Sequence, residues 1–202
     1  TAIQKAFKQK NISIHSSGRT DKGVHAINQI FHFDLKTSIE TDKINAILNT
    51  YLPDSIFVKS TEEVDMTFHS RYDVKEKEYV YKINTTNYNP IQRNYEWFVS
   101  DINIEKMNRH LNEIIGTHDF TSFTKTTTKS AIRTIYSASI REEDNHIYIH
   151  IKGSGFMRYM VRNIVGVLVA INKGKLKYSM TELIEMKDVN MLKDKAPAGG
   201  LY

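Results

Sequence analysis

The chain is predicted to be an α+β protein built from two similar halves that share an antiparallel sheet. The first observation is the order of elements, strand–helix–strand–strand and then helix–strand–strand–helix. The second is the turn-rich stretch Thr85–Tyr95, with three Asn and Pro90, which separates the two sets. The expected division is a first half over 1–86, a linker at 87–95 and a second half over 96–202. No low-complexity segment and no short-period repeat is present.

The elements follow from spacing. Thr1 to Lys8 reads as the last turns of an amphipathic helix, and Ile12 and Ile14 as a short apolar run that breaks at Gly18. Ile27 to Leu35 sets Phe31, Phe33 and Leu35 against His32 and Asp34, a strand pattern. Thr41 is expected to cap a helix carrying Ile44, Ile47, Leu48 and Tyr51, stopped by Pro53. Ile56 to Val64 reads as a strand, and so does Val74 to Ile83, with Tyr79, Tyr81 and Ile83 on one side. Past the linker, Asn103 to Ile115 lines up Ile104, Met107, Leu111, Ile114 and Ile115 as a helix ended by Gly116. Ile132–Arg141 and His146–Lys152 form a hairpin around Asp144-Asn145. Phe156 to Lys173 is the most apolar helix, closed by Gly174, and a short helix covers Ser179 to Met186.

Composition bounds the chemistry. A chain of 202 residues can bury a real core. Its 28 Lys and Arg against 23 Asp and Glu give +5, a balance that suits a polyanionic partner and equally many proteins that bind none. With no cysteine, disulfides and thiolate zinc sites are excluded, and a reducing, cytoplasmic setting is the natural one. The eight histidines show no H-E-x-x-H or comparable ligand spacing, so no metal is expected. The longest apolar run, Ile164 to Ile171, is broken by Gly166 and is far short of a membrane span.

The richest stretch is Ser16-Ser17-Gly18-Arg19-Thr20-Asp21-Lys22-Gly23-Val24-His25-Ala26. By residue type it is either a charged surface turn or a loop that aims one carboxylate, Asp21, into a basic cleft for an anionic polymer. A second block, Met66-Thr67-Phe68-His69-Ser70-Arg71-Tyr72 followed by Lys77-Glu78-Tyr79-Val80-Tyr81, interleaves basic and aromatic side chains. Such a mixture holds unstacked bases and phosphates, although tyrosines on a strand also serve plain sheet packing. The third block runs from Gly153 to Gly166 and puts Arg162 among Met160, Val161, Ile164 and Val165. A guanidinium there reaches water along its stem or meets an anion, because burying it unpaired is costly. Asp119-Phe120-Thr121-Ser122-Phe123, with Lys125, Lys129 and Arg133, reads equally as a solvated loop or as an RNA contact.

The order G-R-T-D-x-G-V-H-A at Gly18–Ala26 resembles the active-site loop of the tRNA pseudouridine synthase A family, and the other two blocks match the same family in chain order. The resemblance extends from about Thr1 to Tyr202. It implies helices on one face of a central sheet and an RNA cleft on the other. Asp21 falls on the family's catalytic nucleophile and Arg19 on an arginine that holds the RNA and the flipped target. The phenylalanine-histidine block, here with Ser70 where alanine is usual, implies substrate contacts at His69 and Arg71. The tyrosine that stacks on the target base falls on Tyr79, and Arg162 on the basic residue paired with the aspartate.

The implied reaction isomerises uridine: the C1′–N1 bond breaks, uracil turns over, and C5 joins C1′. No electrons are exchanged and no group is lost, so no cofactor is expected. Attack at sugar C1′, attack at base C6 and assistance to a glycal are all open to one carboxylate. A base inside a stem must first be flipped and then held. The family acts on uridines 38 to 40 of the tRNA anticodon stem-loop, as a homodimer. A synthase for another structured RNA and an RNA-binding module without activity are the alternatives; a carboxylate beside phosphates repels the ligand unless it has a task, which argues against the latter. The ends read as cut, since the family carries an N-terminal strand with a Tyr-Asp-Gly loop and a final strand past Gly199-Gly200-Leu201-Tyr202. A protein limited to these residues is therefore expected to associate through an exposed sheet edge and to have little activity.

Overall fold

The computed structural model describes residues 1–125, 130–192 and 195–202. They group into two compact units, one of Thr1–Arg19 with Asn28–Val74 and one of Thr20–Ile27 with Lys75–Tyr202.

The first unit holds α1 (Ala2–Phe7), β1 (His15–Ser16), β2 (Phe31–His32) and α2 (Thr41–Asn49), with β1 and β2 paired antiparallel. Its core is Ile3, Leu48 and Val58, ringed by Phe7, Ile12, Phe31, Phe33 and Ile44. Two expectations change here. Of the strand expected over 27–35, only Phe31 and His32 join a ladder. The strand expected over 56–64 does not form, because the backbone finds a side chain instead. The Val58 N–H donates to Asn49 Oδ1 at 2.8 Å and Asn49 Nδ2 donates to the Val58 carbonyl at 2.9 Å, which satisfies Val58 from α2. Thr41 is the first helical residue, and Glu40 occupies the cap position with no side-chain cap bond.

The second unit is built on β3 (Lys77–Asn84), β4 (Trp97–Phe98), β5 (Gly116–Asp119), β6 (Ile132–Glu143) and β7 (His146–Gly153), in spatial order β4-β3-β7-β6-β5. All neighbours are antiparallel except β3 and β4. Asp144 and Asn145 turn the β6–β7 hairpin with φ of 48° and 62°, a conformation these two residue types tolerate well. β3 precedes residues 87–95, yet all eight of its residues pair with β7 beyond them. α3 (Ile104–Asn112), α4 (Met160–Asn172) and α5 (Met180–Met186) share one core with the buried face of the sheet. That face carries Tyr81, Ile83, Ile147, Ile149 and Ile151, the alternate residues that a pleat turns the same way. The α+β class is thus the observed one.

Local chemistry sets the helix starts. The Asn103 side chain accepts from the Lys106 N–H, and Ser179 with Glu182 forms a reciprocal capping box. α4 begins at Met160, four residues later than its apolar pattern predicts, because Tyr159 adopts a left-handed φ of 67°. Among the described residues no helix is long and apolar enough to cross a membrane.

Candidate active site

Asp21 stands at the first position of a tight turn. The Val24 N–H donates to the Asp21 carbonyl at 3.1 Å, and Gly23, with φ of 82°, occupies the third position, where a side chain would be strained. The loop is then tied to the end of the described chain. His25 donates its N–H to the Leu201 carbonyl at 2.9 Å, and its ring stacks between Tyr95 and Tyr202. Residues 200–202 lie along β3, where Val80 and Tyr202 exchange both backbone hydrogen bonds and Lys82 donates to the Gly200 carbonyl. The loop that carries Asp21 is thereby tied to the sheet by backbone hydrogen bonds and by the His25 ring.

Arg162 meets it from α4. Its Nη1 donates to Asp21 Oδ2 at 3.0 Å, and its Nε donates to the Ala196 carbonyl at 2.8 Å. The Ala196 N–H in turn donates to the Arg162 carbonyl at 3.0 Å. The Arg162 side chain is 11% exposed and that of Asp21 20%, so the pair is shielded yet open on one side. Of the two fates the sequence left to this guanidinium, it meets the anion. A planar fork suits that task, since one edge serves the carboxylate while Nε serves a carbonyl.

A second arginine approaches the same carboxylate: Arg158 Nε lies 3.9 Å from Asp21 Oδ1, on a side chain that is 65% exposed. The ring of Tyr159 has the Arg158 guanidinium 4.7 Å from its centroid, that of Arg162 at 5.7 Å, and the Lys195 ammonium at 4.6 Å. Sequence reasoning missed Arg158, Tyr159, Lys195 and Ala196. Arg158 carried a signal, since it precedes Arg162 by four residues; the others have none, because the backbone turn at Tyr159 and the path of 195–196 are tertiary.

Tyr79 sits on β3, half-buried, with its ring edge-to-face against Phe156 at 5.0 Å between centroids. Burial pushes its hydroxyl pKa up, and the charge of Asp21 pushes it further the same way. The hydroxyl is therefore a donor at neutral pH and not a resting base. Tyr81, two residues on, is fully buried and donates to the Pro197 carbonyl at 2.8 Å. Tyr81 is a scaffold residue, whereas Tyr79 keeps part of its ring open.

The second unit thus brings together Asp21, Arg162 and Tyr79. Arg19, His69 and Arg71 belong to the first unit. Arg19 and Arg71 are exposed there. His69 is half-buried in a set of three rings, 5.4 Å from His15 and 4.8 Å from His32, with Tyr72 at 4.2 Å. Ser70 is buried and its hydroxyl bonds the His15 carbonyl and His32 Nδ1. Burial, then the neighbouring His69 and His15, hold the His32 pKa below its usual value. Among the described residues no set of three or more His, Asp and Glu is placed to hold a metal ion. In the charged loop after β5, Asp119 accepts from the Thr121 hydroxyl and pairs with Lys187 at 3.4 Å, while Lys129 lies outside the described residues.

The chain matches the family described as tRNA pseudouridine synthase over residues 1–73 and 111–202. It is 40% identical to tRNA pseudouridine synthase A of Exiguobacterium sp. (strain ATCC BAA-1283 / AT1b), over 95% of this chain and 79% of that protein. It is 40% identical to tRNA pseudouridine synthase A of Staphylococcus epidermidis, over 99% of this chain and 77% of that protein. It is 38% identical to tRNA pseudouridine synthase A 2 of Bacillus cereus, over 96% of this chain and 81% of that protein.

Proposed function

The chain belongs to the tRNA pseudouridine synthase family, and from that premise we propose that it isomerises uridine to pseudouridine in the tRNA anticodon stem-loop, at positions 38 to 40, with Asp21 as nucleophile. The observation that carries the residue assignment is the bond from Arg162 to Asp21 at 3.0 Å, made by side chains 141 positions apart. A carboxylate oriented by a shielded guanidinium is fixed before substrate arrives, which saves the cost of ordering it in the transition state.

The reaction is balanced within the substrate. The C1′–N1 bond breaks, uracil rotates, C5 bonds to C1′, the C5 proton leaves and N1 takes one up. Asp21 serves as the nucleophile in this exchange, and attack at C1′, attack at C6 and assistance to a glycal all close the same balance. The target base must be flipped out of the stem to reach it. Tyr79 offers the ring on which that base stacks, held upright by Phe156. Arg19, His69 and Arg71 contact the RNA, and two copies of the chain share one tRNA. The reading places the enzyme in the cytoplasm, where its substrate is found.

The test is tritium release from anticodon-arm RNA labelled at uracil C5. The Asp21→Asn variant should bind this RNA as the parent does and release no tritium. Retention of more than about a few per cent of turnover, on the usual scale of nucleophile loss, would remove Asp21 from the role.

A further inference from the structure

We propose that Arg158, Tyr159 and Lys195 form a phosphodiester-binding subsite at the rim of the Asp21 site, which grips the RNA backbone next to the flipped nucleotide. The inference rests on the proposed RNA-modifying function and adds to it residues outside the Asp21, Arg162 and Tyr79 set.

Three cations approach one tyrosine ring, at 4.7, 5.7 and 4.6 Å from its centroid for Arg158, Arg162 and Lys195. A ring quadrupole attracts each of them, but like charges gathered on it repel one another. Arg162 is spoken for by Asp21 and the Ala196 carbonyl. Arg158 reaches Asp21 only at 3.9 Å and is 65% exposed, so it keeps most of its donors for a ligand. Lys195 is exposed and makes no ion pair among the described residues. The two ring distances put Arg158 and Lys195 within about 9 Å of each other. A phosphate at the edge of the ring, accepting charge-assisted bonds of about 2.8 Å from these side chains, relieves the repulsion between them.

The backbone supports the reading. Tyr159 holds its ring in place at a left-handed φ of 67°, a conformation that costs an aromatic residue energy. The ring fixes the two long basic side chains, so less of their rotational freedom is lost when the phosphate arrives.

The test is anticodon-arm RNA binding to the whole chain across a salt titration. Arg158→Gln and Lys195→Gln should each lower the slope of log K against log salt by about 1, and the double variant by about 2. Arg158→Lys should keep the parental slope. Lys175→Gln, an equal loss of charge at the opposite end of α4, should leave the slope unchanged. Tyr159→Asn relieves the left-handed strain, so it should raise thermal stability while weakening RNA binding about two- to fivefold. A parental slope in the double variant overturns the subsite, and so does an equal drop in Lys175→Gln, which would make the effect one of net charge. Full turnover in Asp21→Asn with the slopes as expected would overturn the catalytic assignment and leave the subsite standing. A parent chain that binds no anticodon-arm RNA overturns both.

Discussion

The ring of Tyr81 occupies the space where a side chain on Gly200 would begin. A Cβ there would lie 2.8 Å from both Cε1 and Cζ of the tyrosine and 2.9 Å from the Lys82 carbonyl oxygen. Tyr81 cannot yield, because it is fully buried and its hydroxyl is bonded to the Pro197 carbonyl. The close approach lets residues 200–202 lie along β3, and this segment in turn receives His25 from the Asp21 loop.

Gly200→Ala should therefore cost about 1–3 kcal/mol of stability, as overpacking of a rigid core does. It should also lower turnover, since displacement of the 196–201 segment moves the Ala196 carbonyl that holds Arg162 and the Leu201 carbonyl that holds His25. Urea denaturation and tritium release measure the two effects. A variant with parental values in both would show that the segment shifts without consequence.

Arg162→Met should hurt stability and turnover together. It leaves a partly shielded Asp21 without its main partner, a loss of about 1–3 kcal/mol. Arg162→Lys should be intermediate, because an ammonium cannot serve Asp21 and the Ala196 carbonyl with the same planar fork. Adding Asp21→Asn to Arg162→Met should recover part of the lost stability, and a double-mutant cycle by denaturation reads that coupling. Strict additivity would mean that the pair contributes nothing as a pair.

Tyr79→Phe keeps the ring and the contact with Phe156, while Tyr79→Ala loses both. If the ring is the platform for the base, the Ala change should weaken transition-state binding by about 1–3 kcal/mol and the Phe change by much less. Single-turnover rates with enzyme in excess over RNA distinguish them. Parental rates in both variants would return Tyr79 to sheet packing alone.

Glu96 supplies a pH dependence whose sign is fixed. It is buried, which by itself pushes its pKa up, but hydrogen bonds from Asn84, Lys82 and His146 outweigh burial and hold it below the usual 4.5. A carboxyl whose folded pKa is depressed adds stability above its unfolded value and loses it as pH falls through the folded one. The parent should thus lose stability on acidification below about pH 4.5 more steeply than Glu96→Gln, as denaturant midpoints at each pH would show. Parallel curves would mean that Glu96 does not carry the effect.

Elements with a strong local cause were legible. The Asp144-Asn145 hairpin, the one-sided apolar spacing of α3 and the apolar run of α4 each follow from residue type and period within a dozen positions. The misses have a common cause. β4 has two residues and exists because β3 is beside it, so no period announces it. The strand read at 56–64 failed because a side chain of α2, Asn49, took up the backbone bonds of Val58.

By itself the sequence determined the α+β class, the glycine-bounded turn that carries Asp21, and the choice an apolar helix forces on Arg162 between water and an anion. The family resemblance pointed to Asp21 as that anion, but only the tertiary structure brought the two side chains to 3.0 Å, put the Ala196 carbonyl on Nε of the guanidinium, and gathered Arg158 and Lys195 about the Tyr159 ring. The reason is physical. Periodicity and turn chemistry act over a few residues and are written locally, whereas the bond between Asp21 and Arg162 joins residues 141 positions apart and exists only once the chain has closed that distance.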